Sequence, residues 1–179
     1  MKKLRMEELG RPTREEYEVL SKLPVVVVLD NVRSMNNVGS FFRTCDAFAI
    51  EKIALCGITG RPPHAEIHKT ALGAEETVPW EHFEDTREAV ERLIAEGYTP
   101  VAIEQVEGAT MLYDFILDKT QKYAVIFGNE VDGVNQNIVD ICRQAIEIPQ
   151  AGTKHSLNVA VTGGIVLWHM YSNPWVGRL

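Results

Sequence analysis

The chain has 179 residues, 45% of them hydrophobic and eight of them proline, enough to bury one sizeable core and too few for two ordinary domains. Eighteen Lys and Arg against 25 Asp and Glu give a formal charge of −7, which excludes a protein that coats nucleic acid through bulk positive charge but leaves room for a local basic site. The apolar runs PVVVVL and GGIVLW fall short of the roughly 20 residues of a membrane span, and MKKLRMEELGRPTREE turns acidic where a signal peptide would turn apolar, so a cytoplasmic protein is expected.

Basic residues concentrate near the N-terminus, at Lys2, Lys3, Arg5, Arg11 and Arg14, which makes that end the place for a local basic site. A short helix is predicted from Thr13, because Thr13 and Glu16 have the spacing of a capping box, and residues 1–24 read as a helical extension. Five β-branched runs without alternation follow: VVVVL at 25–29, IALCG at 53–57, YTPVAI at 98–103, YAVIFG at 123–128 and AIEIP at 145–149. Such runs mark parallel strands covered on both faces. Helical spacing recurs between them, in Val38, Phe41, Phe42, Cys45 and Ala49, across 86–96, and across 136–144 with Ile138, Ile141 and Cys142. CGITGRPPHAEIHKT at 56–70 reads as a surface loop. The last stretch, LNVAVTGGIVLWHMY, is apolar nearly all round and must be buried on several sides, in the core or against a second subunit. The order predicts one α/β domain over 1–179 with a mostly parallel sheet flanked by helices. Cys45, Cys56 and Cys142 are odd in number and widely spaced, as core residues rather than a disulfide or metal framework would be.

Ligands of open α/β sheets bind beyond the carboxyl ends of the strands, and three segments there are rich in polar residues. In DNVRSMNNVGSFFR, Asn36 or Asn37 can cap a helix, Gly39 permits close backbone approach, and Arg43 lies off the core face. GNEVDG has the Gly-x4-Gly spacing of a phosphate loop, but Val134 and Asn135 stand where Lys and Ser or Thr are needed, and no GxGxxG occurs. What remains is a glycine turn presenting Asn129 and Glu130. In IPQAGTKHSLNVAV, Pro149 and Gly152 form a bend, and Ser156 and Asn158 open an apolar helix that Ser156 is placed to cap. His155 beside Ser156 makes no hydrolase pair without a GxSxG elbow, and His64 and His68 lack a third metal ligand.

Together these segments resemble the motifs of the SpoU/TrmH-type RNA 2′-O-ribose methyltransferases of the SPOUT superfamily. Asn37, Val38, Gly39 and Arg43 match the first motif, VIFGNEVDG the second and IPQAGTKHSLNVAV the third, while KTALGAEETVPW at 69–80 is similar to the family's intervening stretch. The resemblance implies a deep C-terminal trefoil knot, an exception to unknotted topology. It also implies bound S-adenosyl-L-methionine, a homodimer and no metal. Gly128, Asn129, Ile148, Gln150, Ser156 and Leu157 are placed around the cofactor's nucleoside. Arg43 is placed at the reacting 2′-oxygen, as an electrostatic group or phosphate clamp. Asn37 and Asn158 would position Arg43 or the ribose, Ser156 would hydrogen-bond nearby, and Glu130 would orient Arg43 through a carboxylate pair. The implied substrate is RNA, with transfer RNA preferred; ribosomal RNA, or a non-catalytic RNA-binding role, is the alternative.

Overall fold

The computed structural model describes residues 1–118 and 120–172, so the last seven positions of the predicted 1–179 domain lie outside the described residues. In chain order the elements are α1 (Arg14–Val19), β1 (Leu23–Asp30), α2 (Met35–Ala47), β2 (Ile50–Cys56), α3 (Ala65–Ala71), β3 (Trp80–Phe83), α4 (Thr86–Ala95), β4 (Tyr98–Ile103), β5 (Thr110–Met111), β6 (Lys122–Phe127), α5 (Gln136–Val139), β7 (Gln144–Glu147) and α6 (Val159–Ser172). The strands form one seven-stranded sheet in the order β3-β2-β1-β6-β4-β7-β5, and every ladder is parallel.

The unbroken valine run of β1 follows from where it lies. Val25, Val27 and Leu29 point into a core shared with Val38, Phe41 and Phe42 of α2, Ile67 of α3 and Val166 and Leu167 of α6. Val26 and Val28 point the other way, into a core with Ala89, Val90 and Leu93 of α4 and Ile138 of α5. Both faces are covered, so neither set of alternate positions can be polar. The carboxyl end of β1 is fixed by Asp30, which is 2% exposed. Its carboxylate accepts from the Thr86 hydroxyl at 2.6 Å, the Asn31 amide at 2.8 Å and the Asn135 N–H at 3.0 Å, tying the starts of α4 and α5 to the strand. Burial of the charge is tolerable because each contact is a hydrogen bond to it.

The predicted capping box is present, with Thr13 Oγ1 accepting from the Glu16 N–H. Other local expectations are corrected. Ser34, not Asn36 or Asn37, caps α2, accepting from the Asn37 N–H at 3.3 Å. Asn158, not Ser156, caps α6, its side-chain oxygen accepting from the N–H groups of Ala160 and Val161 at 2.9 and 3.3 Å. Part of the predicted loop at 56–70 is helix: His64 caps α3, whose Ile67 and Ala71 are buried. The helix predicted over 136–144 stops after one turn, because the Arg143 N–H donates to the Pro100 carbonyl and Gln144 enters β7. The strands β3 and β5 were not expected; they are short and only partly buried.

Helix α6 buries one face, through Gly163, Val166, Leu167 and Met170, and leaves Val161, Ile165 and Trp168 at 52%, 38% and 55% exposure. Its expected burial on several sides is therefore not met among the described residues of one chain. Gly39 lets α2 approach α3 closely: an added Cβ there would stand 2.1 Å from Thr70 Oγ1 and 2.3 Å from the Ile67 carbonyl oxygen. A backbone oxygen in a packed helix yields little. Gly39→Ala is expected to lose about 1–3 kcal/mol of stability by overpacking, measured by denaturant unfolding. Stability equal to the parent would show that α2 and α3 part without cost.

Candidate active site

A cavity of about 500 Å³ opens beyond the carboxyl ends of β4, β6 and β7. Its walls are the residues after β4, the 128–134 turn after β6, and the 148–158 loop after β7, closed by the first turn of α6. The turn is built by local chemistry. Asn129 and Gly133 exchange backbone hydrogen bonds at 3.1 Å, and the Asn129 side-chain oxygen accepts from the N–H groups of Val131 and Asp132 at 2.9 Å each. Gly128 lies under the returning chain, where a Cβ would fall 1.9 Å from the Gly133 carbonyl carbon, and Gly133 holds a left-handed φ of 70°. Both glycines are therefore required by geometry.

Glu130 projects from this turn to the start of α2. One carboxylate oxygen accepts from the Asn37 amide at 2.7 Å and the Ser34 N–H at 3.1 Å; the other accepts from the Arg33 N–H at 3.1 Å. Asn158 then donates its own amide to Asn37 Oδ1 at 3.2 Å. A continuous chain of side chains, Asn158 to Asn37 to Glu130, thus joins the loops of all three polar segments. Partial burial disfavours the charged form of Glu130, but the Arg33 N–H, the Asn37 amide, and the backbone donors of Glu130 itself and Ser34 outweigh it and hold the carboxyl below the ordinary glutamate range.

Of the residues singled out in the sequence, Gly128, Asn129, Glu130, Ile148, Gln150, Ser156, Leu157 and Asn158 all line the cavity, and Asn37 reaches it through Glu130 and Asn158. Arg43 does not line it. It is exposed on α2, and among the described residues its side chain makes no hydrogen bond or ion pair. The expected Glu130–Arg43 carboxylate pair is corrected: Glu130 is engaged by Asn37 and the 33–34 backbone. No residue of 1–24 lines the cavity, and two of the N-terminal bases face carboxylates, Lys2 at Glu8 and Arg14 at Glu18 and Glu76. Sequence reasoning missed Glu104 and Gln105, which wall the cavity immediately after β4. Their signal was a polar pair directly following a buried strand, at the end where ligands bind.

An all-parallel sheet with a ligand-sized cavity at the carboxyl ends of adjoining strands, walled by irregular loops instead of a glycine-rich strand-to-helix turn, defines a class of α/β proteins that bind small ligands at the sheet edge. Within that class the chain belongs to the SpoU rRNA Methylase family, whose model matches residues 24–168. A tRNA (guanosine(18)-2′-O)-methyltransferase of Thermus thermophilus is 31% identical over 144 residues, covering 80% of this chain and 72% of that relative. A 23S rRNA (guanosine-2′-O-)-methyltransferase of Neisseria meningitidis is 29% identical over 150 residues, covering 84% of this chain and 59% of that relative. The AdoMet-bound rRNA methyltransferase of Sinorhizobium meliloti superposes with a TM-score of 0.76 at 27% identity, covering 84% of this chain and 59% of that structure. The chain therefore spans about six-tenths of the length of two of these three proteins.

The lowered pKa of Glu130 fixes a sign for pH dependence. Its stabilisation is fully present above the unfolded glutamate value of about 4.3 and is lost as pH falls through the lower folded value. Glu130→Gln is therefore expected to melt below the parent by a constant interval near neutral pH, and the interval is expected to close in acid. Thermal melts of both proteins across that range test it, and an interval that persists below the folded value would remove the carboxylate's charge from the account.

Proposed function

We propose that this chain is an S-adenosyl-L-methionine-dependent methyltransferase of the ribose 2′-hydroxyl of RNA, acting as a cytoplasmic homodimer. Transfer RNA is the preferred substrate class and ribosomal RNA the alternative, in keeping with the named activities of the Thermus and Neisseria relatives. The catalytic unit is one domain over 1–179, with 1–24 as an extension. The carrying observation is the cavity, whose side chains suit a cationic donor: its lining includes Glu104, Glu130, Asp132 and Glu147 and, among the described residues, no Lys or Arg. A carboxylate-lined site favours a positively charged ligand. The bound cofactor supplies a methyl group on a sulfonium. Gly128, Asn129, Ile148, Gln150, Ser156 and Leu157 hold its nucleoside in this reading.

The ribose hydroxyl is a weak nucleophile, so the chain's own residues must align it and manage its developing charge. The hydrogen-bonded run from Asn158 through Asn37 to Glu130 holds the start of α2 against the cavity. Arg43, farther along the same helix and exposed, presents a planar guanidinium that is free to stabilise an alkoxide or grip a phosphate bidentately. The strand order supports the knot that the resemblance implies, since β7 enters between β4 and β5 and so crosses the 104–109 connection that joins them. The outward stripe of Val161, Ile165 and Trp168 on α6 supports the homodimer, as an apolar helix face that one chain leaves open.

Two experiments test the proposal. Arg43→Ala is expected to keep the parental affinity for S-adenosylhomocysteine while methyl transfer from labelled cofactor to RNA falls roughly 100-fold or more. A parent that does not bind S-adenosylhomocysteine would overturn the cofactor assignment; a variant that transfers at the parental rate would overturn the role of Arg43. In sedimentation, the parent is expected to be a dimer and Ile165→Asp a monomer with unaltered secondary structure. A monomeric parent at micromolar concentration would exclude the dimer.

A further inference from the structure

Glu104 and Gln105 each reach a different wall of the cavity. The Glu104 N–H donates to the Ile146 carbonyl at 3.1 Å, which carries the β4–β7 pairing one residue past the strand. The Glu104 side chain turns toward the loop after β6. One carboxylate oxygen accepts from the Val134 N–H at 2.8 Å, and the other is held in place by the Gln105 N–H at 2.8 Å. The carboxylate lies so close over Gly133 that a Cβ there would stand 2.1 Å from it. Gln105 reaches the opposite wall, its side-chain amide donating to the His155 carbonyl at 2.8 Å. Among the described residues this is the one hydrogen bond that ties 149–157, exposed throughout, to another element.

We propose that Glu104 and Gln105 are positioning residues that act as a clasp: they set the separation of the cavity's two walls and thereby govern cofactor affinity, although neither belongs to the three motif segments. The link to the cofactor rests on the methyltransferase reading above; the clasp itself rests on geometry alone. An exposed loop held by one hydrogen bond must otherwise be ordered when ligand binds, and prior ordering removes that cost from binding. Glu104 cannot be replaced by its amide without loss, because its two oxygens accept from two N–H groups, and Gln would point an NH2 at one of them. Gln105 acts as a donor, so shape without a donor will not serve.

The test uses three variants, Glu104→Gln, Gln105→Met and Gln105→Lys, the last restoring a donor on a long side chain. Amide hydrogen exchange is measured on the ligand-free protein, and S-adenosylhomocysteine affinity by calorimetry. Glu104→Gln is expected to speed exchange in 128–134 and Gln105→Met in 149–157, each weakening S-adenosylhomocysteine roughly 5- to 10-fold, the scale of one lost hydrogen bond. Gln105→Lys is expected to recover most of both losses. The KM for RNA is expected to stay at the parental value, which general unfolding would not allow. Exchange unchanged in both loops overturns the clasp, and so does faster exchange with unchanged affinity in a parent that binds. A parent that fails to bind S-adenosylhomocysteine would instead defeat the cofactor reading, and exchange alone would then decide whether the clasp exists.

Discussion

The site depends on one carboxylate in one place. Glu130 sits on a turn after β6 and accepts three hydrogen bonds from the segment that opens α2, more than 90 residues earlier in the chain. Without it, two loops at the same sheet edge would be neighbours with nothing to fix their distance. With it, Asn37 is held with its amide oxygen turned to Asn158, so the third loop is set by the same group. Asp30 does the corresponding work on the other side of β1, where a buried carboxylate gathers Thr86, Asn31 and the Asn135 N–H. Both groups occupy the carboxyl edge of the sheet, where side chains must supply hydrogen bonds that the strand ladders no longer provide.

The acidity of the chain takes on a local meaning in this arrangement. An overall charge of −7 is unexpected in a protein whose relatives act on RNA, yet four of the acidic residues surround the cavity. Glu130 and Glu104 are held by hydrogen bonds, several of them from backbone N–H groups. These carboxylates organise loops first and set the sign of the cavity second. The bases are placed differently: Arg14 is engaged by Glu18 and Glu76 on the outer surface, and Arg43 stands clear of the cavity.

The central strands were legible because burial on both faces writes itself as an unbroken apolar run, as in Val25 to Leu29. The edge strands were not, since β3 reads Trp-Glu-His-Phe and β5 is two residues long; neither carries enough apolar length to stand out from a loop. Helix α3 was hidden behind a Pro-Pro pair and a histidine cap, which share the composition of a turn. The cap positions of α2 and α6 were misread for a related reason: an asparagine suits both a cap and a long-range hydrogen bond. Asn37 is used for Glu130, which leaves the cap to Ser34, whereas Asn158 serves both ends at once. The three motif segments were legible as polar density after strands; residues of the second and third meet around one cavity, Asn37 of the first is hydrogen-bonded to two of them, and Arg43 stands apart. Glu104 and Gln105 carried only the weak signal of a polar pair at a strand end, and their partners lie 30 and 50 residues away, so the sequence did not show what they hold.

The turn at 128–134 keeps its shape through a few positions only: two glycines for close approach, Asn129 for the internal bonds and Glu130 for the outward ones. Val131 contributes only its backbone N–H to the turn's hydrogen bonds, and the residue lines the cavity while 69% exposed. Its identity is therefore nearly unconstrained by the fold. That makes it an attachment point for a spectroscopic label: a fluorophore carried there would sit in the cavity wall without replacing any side chain that holds the turn, and would report occupancy from the wall it is meant to observe.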